Sequence, residues 1–214
     1  LATGGILFLD ELPEFSRAAL ETLRQPLEDR EVTVSRVEAT VTYPANFQLV
    51  AAMNPCPCGH FPDLARCRCT EGQITRYLQK ISGPLLDRID LCVEASPVTY
   101  GDIRGGGENE ASGAIRARVE QAREIQKERF MEENIRCNGE MAGRHIRKYC
   151  VLGKEEETFM EEIFEKLALS ARMHDRILKV ARTTADLAGA SEIRLSDLCE
   201  AVSYVKSREK FWGN

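Results

Sequence analysis

No apolar run in these 214 residues approaches the roughly 20 that a membrane-spanning helix needs. Nor does the chain open on the basic-then-apolar stretch of a secretory leader, so a cytoplasmic location and no membrane partner are expected. Basic residues are not in surplus. Lys plus Arg number 29 against 34 Asp plus Glu, a net charge of -5. Coating nucleic acid by bulk charge is therefore excluded, and any DNA contact must come from a local basic feature. Internal repeats and low-complexity tracts are missing too. What is present, 43% hydrophobic and 29% charged residues, is the composition of a globular chain and excludes a disordered one. The length suits one large or two modest domains and can bury a core without covalent staples.

The chain begins Leu1-Ala2-Thr3 rather than with methionine and enters a strand-like run within five residues. It reads as part of something longer. Ile6-Leu7-Phe8-Leu9 has the continuous apolar character of a parallel strand buried on both faces. From Ser16 to Leu27, apolar residues at Ala19, Leu20, Leu23 and Leu27 mark an amphipathic helix, with Ser16 as its N-cap. Alternation over Val32–Ser35 and Thr40–Tyr43 predicts a β-hairpin with Arg36-Val37-Glu38-Ala39 at its turn. Phe47 through Met53 is another core strand, and Ile89 to Val93 a third.

A linker runs from Ser96-Pro97 through Gly105-Gly106-Gly107, and its glycines are expected to be mobile. Beyond it the composition turns to helix formers. Ile115, Val119, Ala122 and Ile125 mark one helix; Phe159, Ile163, Phe164 and Leu167 a second; Ile177 through Ala188, stopped by Gly189, a third. Ser196 can cap a fourth that carries Leu198, Ala201, Val202 and Val205. The division is thus an α/β domain over 1–97, a linker over 98–112 and an all-helical domain over 113–214.

The strand Ile6–Leu9 ends in Asp10-Glu11. In nucleotide-hydrolysing α/β folds the carboxyl end of such a strand opens on the phosphates. Asp10 would hold magnesium there, and Glu11 would polarise the attacking water. Buried strands also end in acidic residues simply because a helix dipole follows them. Asn54 stands past the next core strand, where it can also cap a turn before Pro55. Arg88 precedes Ile89 and can also pair with Asp87 or Asp90. Arg172, in Ser170-Ala171-Arg172, shares a basic helix face with Arg176 and Lys179.

Five segments, GGILFLDELPEF, LRQPLEDREVTVSR, YPANFQLVAAMNPCPCG, KISGPLLDRIDL and SARMHDRILKVARTTADL, together resemble the AAA+ ATPases. The resemblance is to the magnesium-chelatase-like branch and, within it, to the ComM-type (YifB-like) family, and it covers nearly the whole chain. It implies a partial AAA+ P-loop NTPase αβα core, the later strands only, followed by a helical lid. It implies that Asp10 and Glu11 are the Walker B pair and Asn54 is sensor 1. Arg88 would be the arginine finger completing the neighbouring subunit's site, and Arg172 the sensor 2 arginine. ATP and Mg2+ are the implied cofactors and a homohexameric ring the implied assembly. No Gly-x-x-x-x-Gly-Lys-Ser/Thr occurs in these residues, and in the family that phosphate-cradling loop lies upstream of Walker B. These residues alone are therefore expected to lack appreciable ATPase activity.

Four of the eight cysteines, Cys56, Cys58, Cys67 and Cys69, form C-x-C, eight residues, C-x-C. Four thiolates in one loop suit a structural Zn2+ site, and His60 could replace one of them. A reduced, metal-free loop is the alternative. The other four, Cys92, Cys137, Cys150 and Cys199, are expected to be ordinary buried thiols. In chelatase motor subunits the cysteine insertion after sensor 1 is lacking, which turns the resemblance toward the ComM-like branch. The hairpin ahead of the sensor 1 strand resembles the presensor hairpin of this clade, and Arg36 at its turn could meet a DNA phosphate. The function implied is an ATP-driven motor on single-stranded or branched DNA, a helicase or branch-migration factor of recombination or natural transformation. The rivals are a motor that drives metal insertion into a tetrapyrrole and a zinc-stabilised interaction module without catalysis.

Overall fold

The computed structural model describes residues 2–36, 39–96, 98, 100–104 and 110–212. The chain forms two units, Leu1–Leu91 with Glu209–Asn214, and Cys92–Arg208.

The first unit opens with β1 (Ile6–Leu9). Ser16 then caps α1 (Arg17–Thr22), its hydroxyl accepting the Ala19 amide at 3.2 Å. The expected single helix is split: α2 (Arg24–Asp29) starts after Leu23, because Pro26 has no N–H to offer the preceding turn. Strands β2 (Glu31–Ser35) and β3 (Thr40–Pro44) form the antiparallel hairpin, with Val34 opposite Val41. The chain returns in β4 (Gln48–Ala51), which pairs in parallel with β1 and sets Leu9 across from Ala51. After the cysteine-rich loop come α3 (Glu71–Leu78), opened by a capping box of Thr70 and Gln73, and α4 (Gly83–Leu86), capped by Ser82. Leu12, Leu20, Ile81, Leu85 and Leu86 form the buried core of this unit.

Two expectations for this unit are corrected. Ile89–Val93 is not a strand. A strand needs a neighbour to complete its ladder, and among the described residues β1 and β4 pair only with each other, leaving Leu91 and Val93 exposed. For the same reason β1 is not buried on both faces: Ile6 is 64% and Phe8 58% exposed, since two strands give too small a sheet to be covered.

The second unit contains no strand among the described residues. Its helices are α5 (Tyr100–Arg104), inside the expected linker, α6 (Ser112–Arg129), α7 (Gly143–Tyr149), α8 (Lys154–Lys166), α9 (Ala171–Leu187) and α10 (Leu195–Trp212). Gly105 to Gly107 lie outside the described residues. Gly189, at φ +66°, ends α9 as expected: its amide returns to Asp186 at 3.0 Å and that of Ala190 to Ala185 at 2.8 Å. Ser196 does not cap α10. The helix already includes Leu195, so Ser196 stands inside the first turn, where the Asp197 carboxylate takes the Arg194 amide at 2.9 Å and suits the helix dipole. Ile177, Ala181, Leu198 and Val202 anchor the core of this unit. Burying a side chain the size of leucine is worth about 1.5–3 kcal/mol.

Beside that core lies a polar network of which only the i,i+4 pair Arg182–Asp186 is local in the sequence. Asp186 is fully buried and accepts from Arg129 at 2.7 Å, Asn138 at 2.7 Å and Arg182 at 3.1 Å. Arg182 spends its other donors on the carbonyls of Ser191 and Ala190. The carboxylate thereby ties α6, α9 and the turn at Asn138 together. Arg129→Ala should cost about 2 kcal/mol, because Arg182 and Asn138 still attend Asp186. A fall in the urea unfolding midpoint at unchanged slope would show it, whereas an unchanged midpoint would assign the network no net stability.

The last residues of α10, from Glu209 on, belong to the first unit. There the Trp212 indole donates to the Leu78 carbonyl at 3.2 Å, and the Phe211 ring meets Phe61 edge to face at 6.5 Å.

Candidate functional site

Parallel pairing brings the carboxyl ends of β1 and β4 to one edge. Leu9 accepts the Ala52 amide at 2.9 Å and Ala52 accepts that of Leu12 at 3.0 Å, so Asp10 and Glu11 are held beside the exit of β4. Glu11 has left-handed backbone, φ 50° and ψ 48°, unusual for a residue with a Cβ. Its amide donates to the Asp10 carboxylate at 2.9 Å, while buried Leu12 and Pro13 hold the corner from beneath. Such backbone costs on the order of 1–3 kcal/mol and is kept where the surroundings enforce it. The outcome is an exposed Glu11 carboxylate on a fixed turn. Asn54, also exposed, follows β4 at the same edge, and Gly59 of the cysteine loop passes against it: a Cβ there would lie 3.8 Å from the Asn54 side chain.

Arg88 is in the same unit but is not extended toward solvent. Its side chain is 15% exposed and its Nη2 forms an ion pair with Glu28, at the end of α2. Nη1 donates to the Pro84 carbonyl at 2.6 Å, and Nε is buried without a hydrogen-bond partner. Sequence reasoning missed Glu28. It lies in a quoted segment, yet a pairing across 60 residues leaves no periodicity to find. Arg172 belongs to the second unit, exposed in the first turn of α9, which Ser170 caps.

Arg36 is exposed where β2 ends, its amide donating to Ala39 at 2.9 Å; Val37 and Glu38 of the turn lie outside the described residues. Register gives the hairpin two unlike faces. Val32, Val34, Val41 and Tyr43 share one, and the hydroxyl pairs Thr33–Thr42 and Ser35–Thr40, at 3.1 and 3.0 Å, share the other.

The cysteine loop converges on one point. The sulfurs of Cys56, Cys58, Cys67 and Cys69 all lie within 4.8 Å of one another, and three separations are 3.4, 3.6 and 3.8 Å. The Cys-Pro-Cys-Gly turn closes through the Gly59 amide to Cys56 at 3.0 Å, with Gly59 at φ +78°. His60 contributes its backbone amide rather than its ring. That amide and the one of Arg68 point at the Cys58 sulfur and draw its pKa down to about 6. Cys69 is pushed up to about 12 by burial and by the neighbouring Cys58. The Phe61 amide donates to Cys56, which is fully buried. Four sulfurs in this arrangement can hold a metal ion. The remaining cysteines meet the expectation of buried thiols only in part. Cys150 is buried and Cys92 half-buried, but Cys137 and Cys199 are exposed, Cys199 because it stands about 100° round α10 from inward-facing Leu198.

A sequence model of the family described as magnesium chelatase, subunit ChlI, matches residues 1–103, and that of the ChlI C-terminal part matches residues 109–205. The chain is 46% identical over 205 residues to competence protein ComM of Haemophilus influenzae, covering 95% of this chain and 39% of that protein. It is 46% identical to YifB of Salmonella typhimurium, covering 95% of this chain and 40% of the other, and 44% identical to YifB of Escherichia coli over the same shares. The chain thus spans about two fifths of the length of these curated relatives.

Proposed function

The chain belongs to the ComM/YifB-like group of magnesium-chelatase-related AAA+ proteins, and from that premise we propose that it carries the hydrolytic half of an ATP-driven motor that acts on DNA. The observation that carries this reading is the exposed Glu11 carboxylate, held by a left-handed backbone beside Asp10 at the edge where Asn54 also stands. Strained backbone under an exposed acid is the pattern of a site that must present one group in one place. Asp10 would hold Mg2+, which when bound offsets charge on the phosphates. Glu11 would accept a hydrogen bond from the attacking water and Asn54 would orient that water. Arg88 would complete the site of the adjacent subunit in a homohexamer, and Arg172 would meet the nucleotide from the lid. Residues 1–97 are then the later part of the ATPase core, 98–112 the linker and 113–214 the lid.

Zinc is the metal we assign to the cysteine cluster. Tetrahedral Zn2+ with sulfur at about 2.3 Å requires sulfurs about 3.8 Å apart. The observed separations of 3.4 to 3.8 Å approach that spacing, and an all-thiolate set is the usual structural zinc shell. DNA is the partner we assign to the hairpin. Arg36 gives a local positive charge on an otherwise acidic chain, and the Haemophilus influenzae relative is named a competence protein, which fits a DNA-handling role such as natural transformation.

ATP turnover of the full-length protein, measured with and without single-stranded or branched DNA, tests this. Several-fold stimulation that fades as salt rises, and that Arg36→Ala diminishes, is expected. Stimulation by a tetrapyrrole-binding protein but not by DNA would favour metal insertion instead, and no turnover under any condition would leave a non-catalytic zinc module.

A further inference from the structure

We propose that Glu28 restrains Arg88, holding it withdrawn within its own subunit until the phosphate of a neighbouring subunit competes it away. The proposal rests on reading Arg88 as a finger acting in trans and adds a control to it. Both terminal nitrogens of the guanidinium are engaged at home, one by the Glu28 carboxylate and one by the Pro84 carbonyl. The third nitrogen, Nε, is buried with no hydrogen-bond partner, and only 15% of the side chain meets solvent. In this arrangement the guanidinium is held against its own subunit and is mostly withdrawn from solvent.

The two restraints differ in kind. The Pro84 carbonyl is neutral and one turn back along the chain, so it sets the path of the side chain. Glu28 is charged and lies on α2, and 52% of its side chain is exposed. Because the carboxylate end of the pair is open to water, Glu28 is readily exchanged for a stronger anion. The phosphate of a bound nucleotide is such an anion, and it takes guanidinium donors in the geometry a carboxylate does. Arg88 departs from an arrangement in which its own Nε is unmet, not from a fully satisfied network, which lowers what its departure costs. Glu28 thereby ties finger engagement to nucleotide in the adjoining site and keeps Arg88 home when that site is empty.

Steady-state ATP turnover of the full-length protein decides this, comparing wild type with Glu28→Gln, Glu28→Asp, Arg88→Ala and the double variant E28Q/R88A. Glu28→Gln keeps the shape and removes the charge, so kcat should rise about 2- to 5-fold at unchanged KM, the population shift that loss of one exposed ion pair permits. Glu28→Asp should stay near wild type. The double variant should be as inactive as Arg88→Ala, because the gain runs through Arg88. If Glu28→Gln does not fold, Glu28→Ala is read in the same way. An inactive Arg88→Ala with kcat unchanged or lowered in Glu28→Gln overturns the restraint and leaves the finger intact. An active Arg88→Ala overturns the finger and the restraint with it.

Discussion

Replacing Glu11 by glutamine in the full-length protein should leave ATP binding in place and cut turnover by about 10²–10⁴-fold, the usual contribution of a positioned proton acceptor. The amide keeps the volume of the carboxylate and loses its ability to polarise water. The left-handed backbone should tolerate the exchange, since its anchor is the Asp10 carboxylate on the amide of residue 11 and not the Glu11 side chain. Binding by a fluorescent nucleotide analogue beside steady-state hydrolysis separates the two effects. Arg88→Ala should also abolish turnover, and mixing the two inactive proteins should restore part of it, because a mixed ring contains interfaces with one intact finger facing one intact carboxylate. Failure of the mixture to recover would mean that Arg88 does not act across an interface. Unchanged hydrolysis in Glu11→Gln would remove the carboxyl edge of β1 from the chemistry altogether.

The second large effect concerns the cysteines. Protein prepared without chelators should contain about one zinc per chain by elemental analysis, and Cys56→Ser or Cys67→Ser should lose it while both units stay folded. Zinc is worth on the order of 10 kcal/mol to small finger peptides, whose whole fold depends on it. Here the gain falls mostly on the loop between Asn54 and α3, where Pro55, Pro57 and Pro62 already restrict the chain. Cys56 is fully buried and also receives the Phe61 amide, so serine at that position removes a ligand and weakens the loop's internal bonding together. Loading should weaken as pH falls, because protons compete with the metal for sulfur. Amide exchange over 55–69 should accelerate once the metal is stripped. Protein with no metal and four freely alkylated thiols would end the assignment.

Legibility in the sequence followed the range of the interactions involved. The hairpin, the Ser16 cap and the Gly189 stop are each decided by residues within a few positions of one another, and each forms as the pattern predicts. The C-x-C pairs are legible for the same reason: all four cysteines lie within fourteen residues, and their sulfurs meet across 9 to 11 positions. Ile89–Val93 has the composition of a strand, but a strand also needs a neighbour, and composition carries no word of that. Ser196 is a good cap residue, but the helix begins one residue ahead of it at Leu195, and Asp197 in the first turn takes the Arg194 amide. Only the Arg182–Asp186 pair of the buried network is local; the bonds from Arg129 and Asn138 to Asp186 and the Glu28–Arg88 pair join residues 48 to 60 positions apart, so nothing local announces them. At the carboxyl edge the residue types were legible, while the left-handed turn under Glu11 was not, because Glu-Leu-Pro has no glycine to suggest it.

Trp212 is the only tryptophan in the chain, and it sits against Leu78 in the first unit. Emission excited at the red edge of indole absorption therefore comes from a single spot and is silent about the Asp186 network. Far-ultraviolet circular dichroism has the opposite bias, since the longest helices, α6, α8, α9 and α10, lie wholly or mostly in the second unit. The two spectra watch different halves of the same polypeptide. Melting curves that superimpose would describe one cooperative body, and curves that separate would describe two, each with its own midpoint.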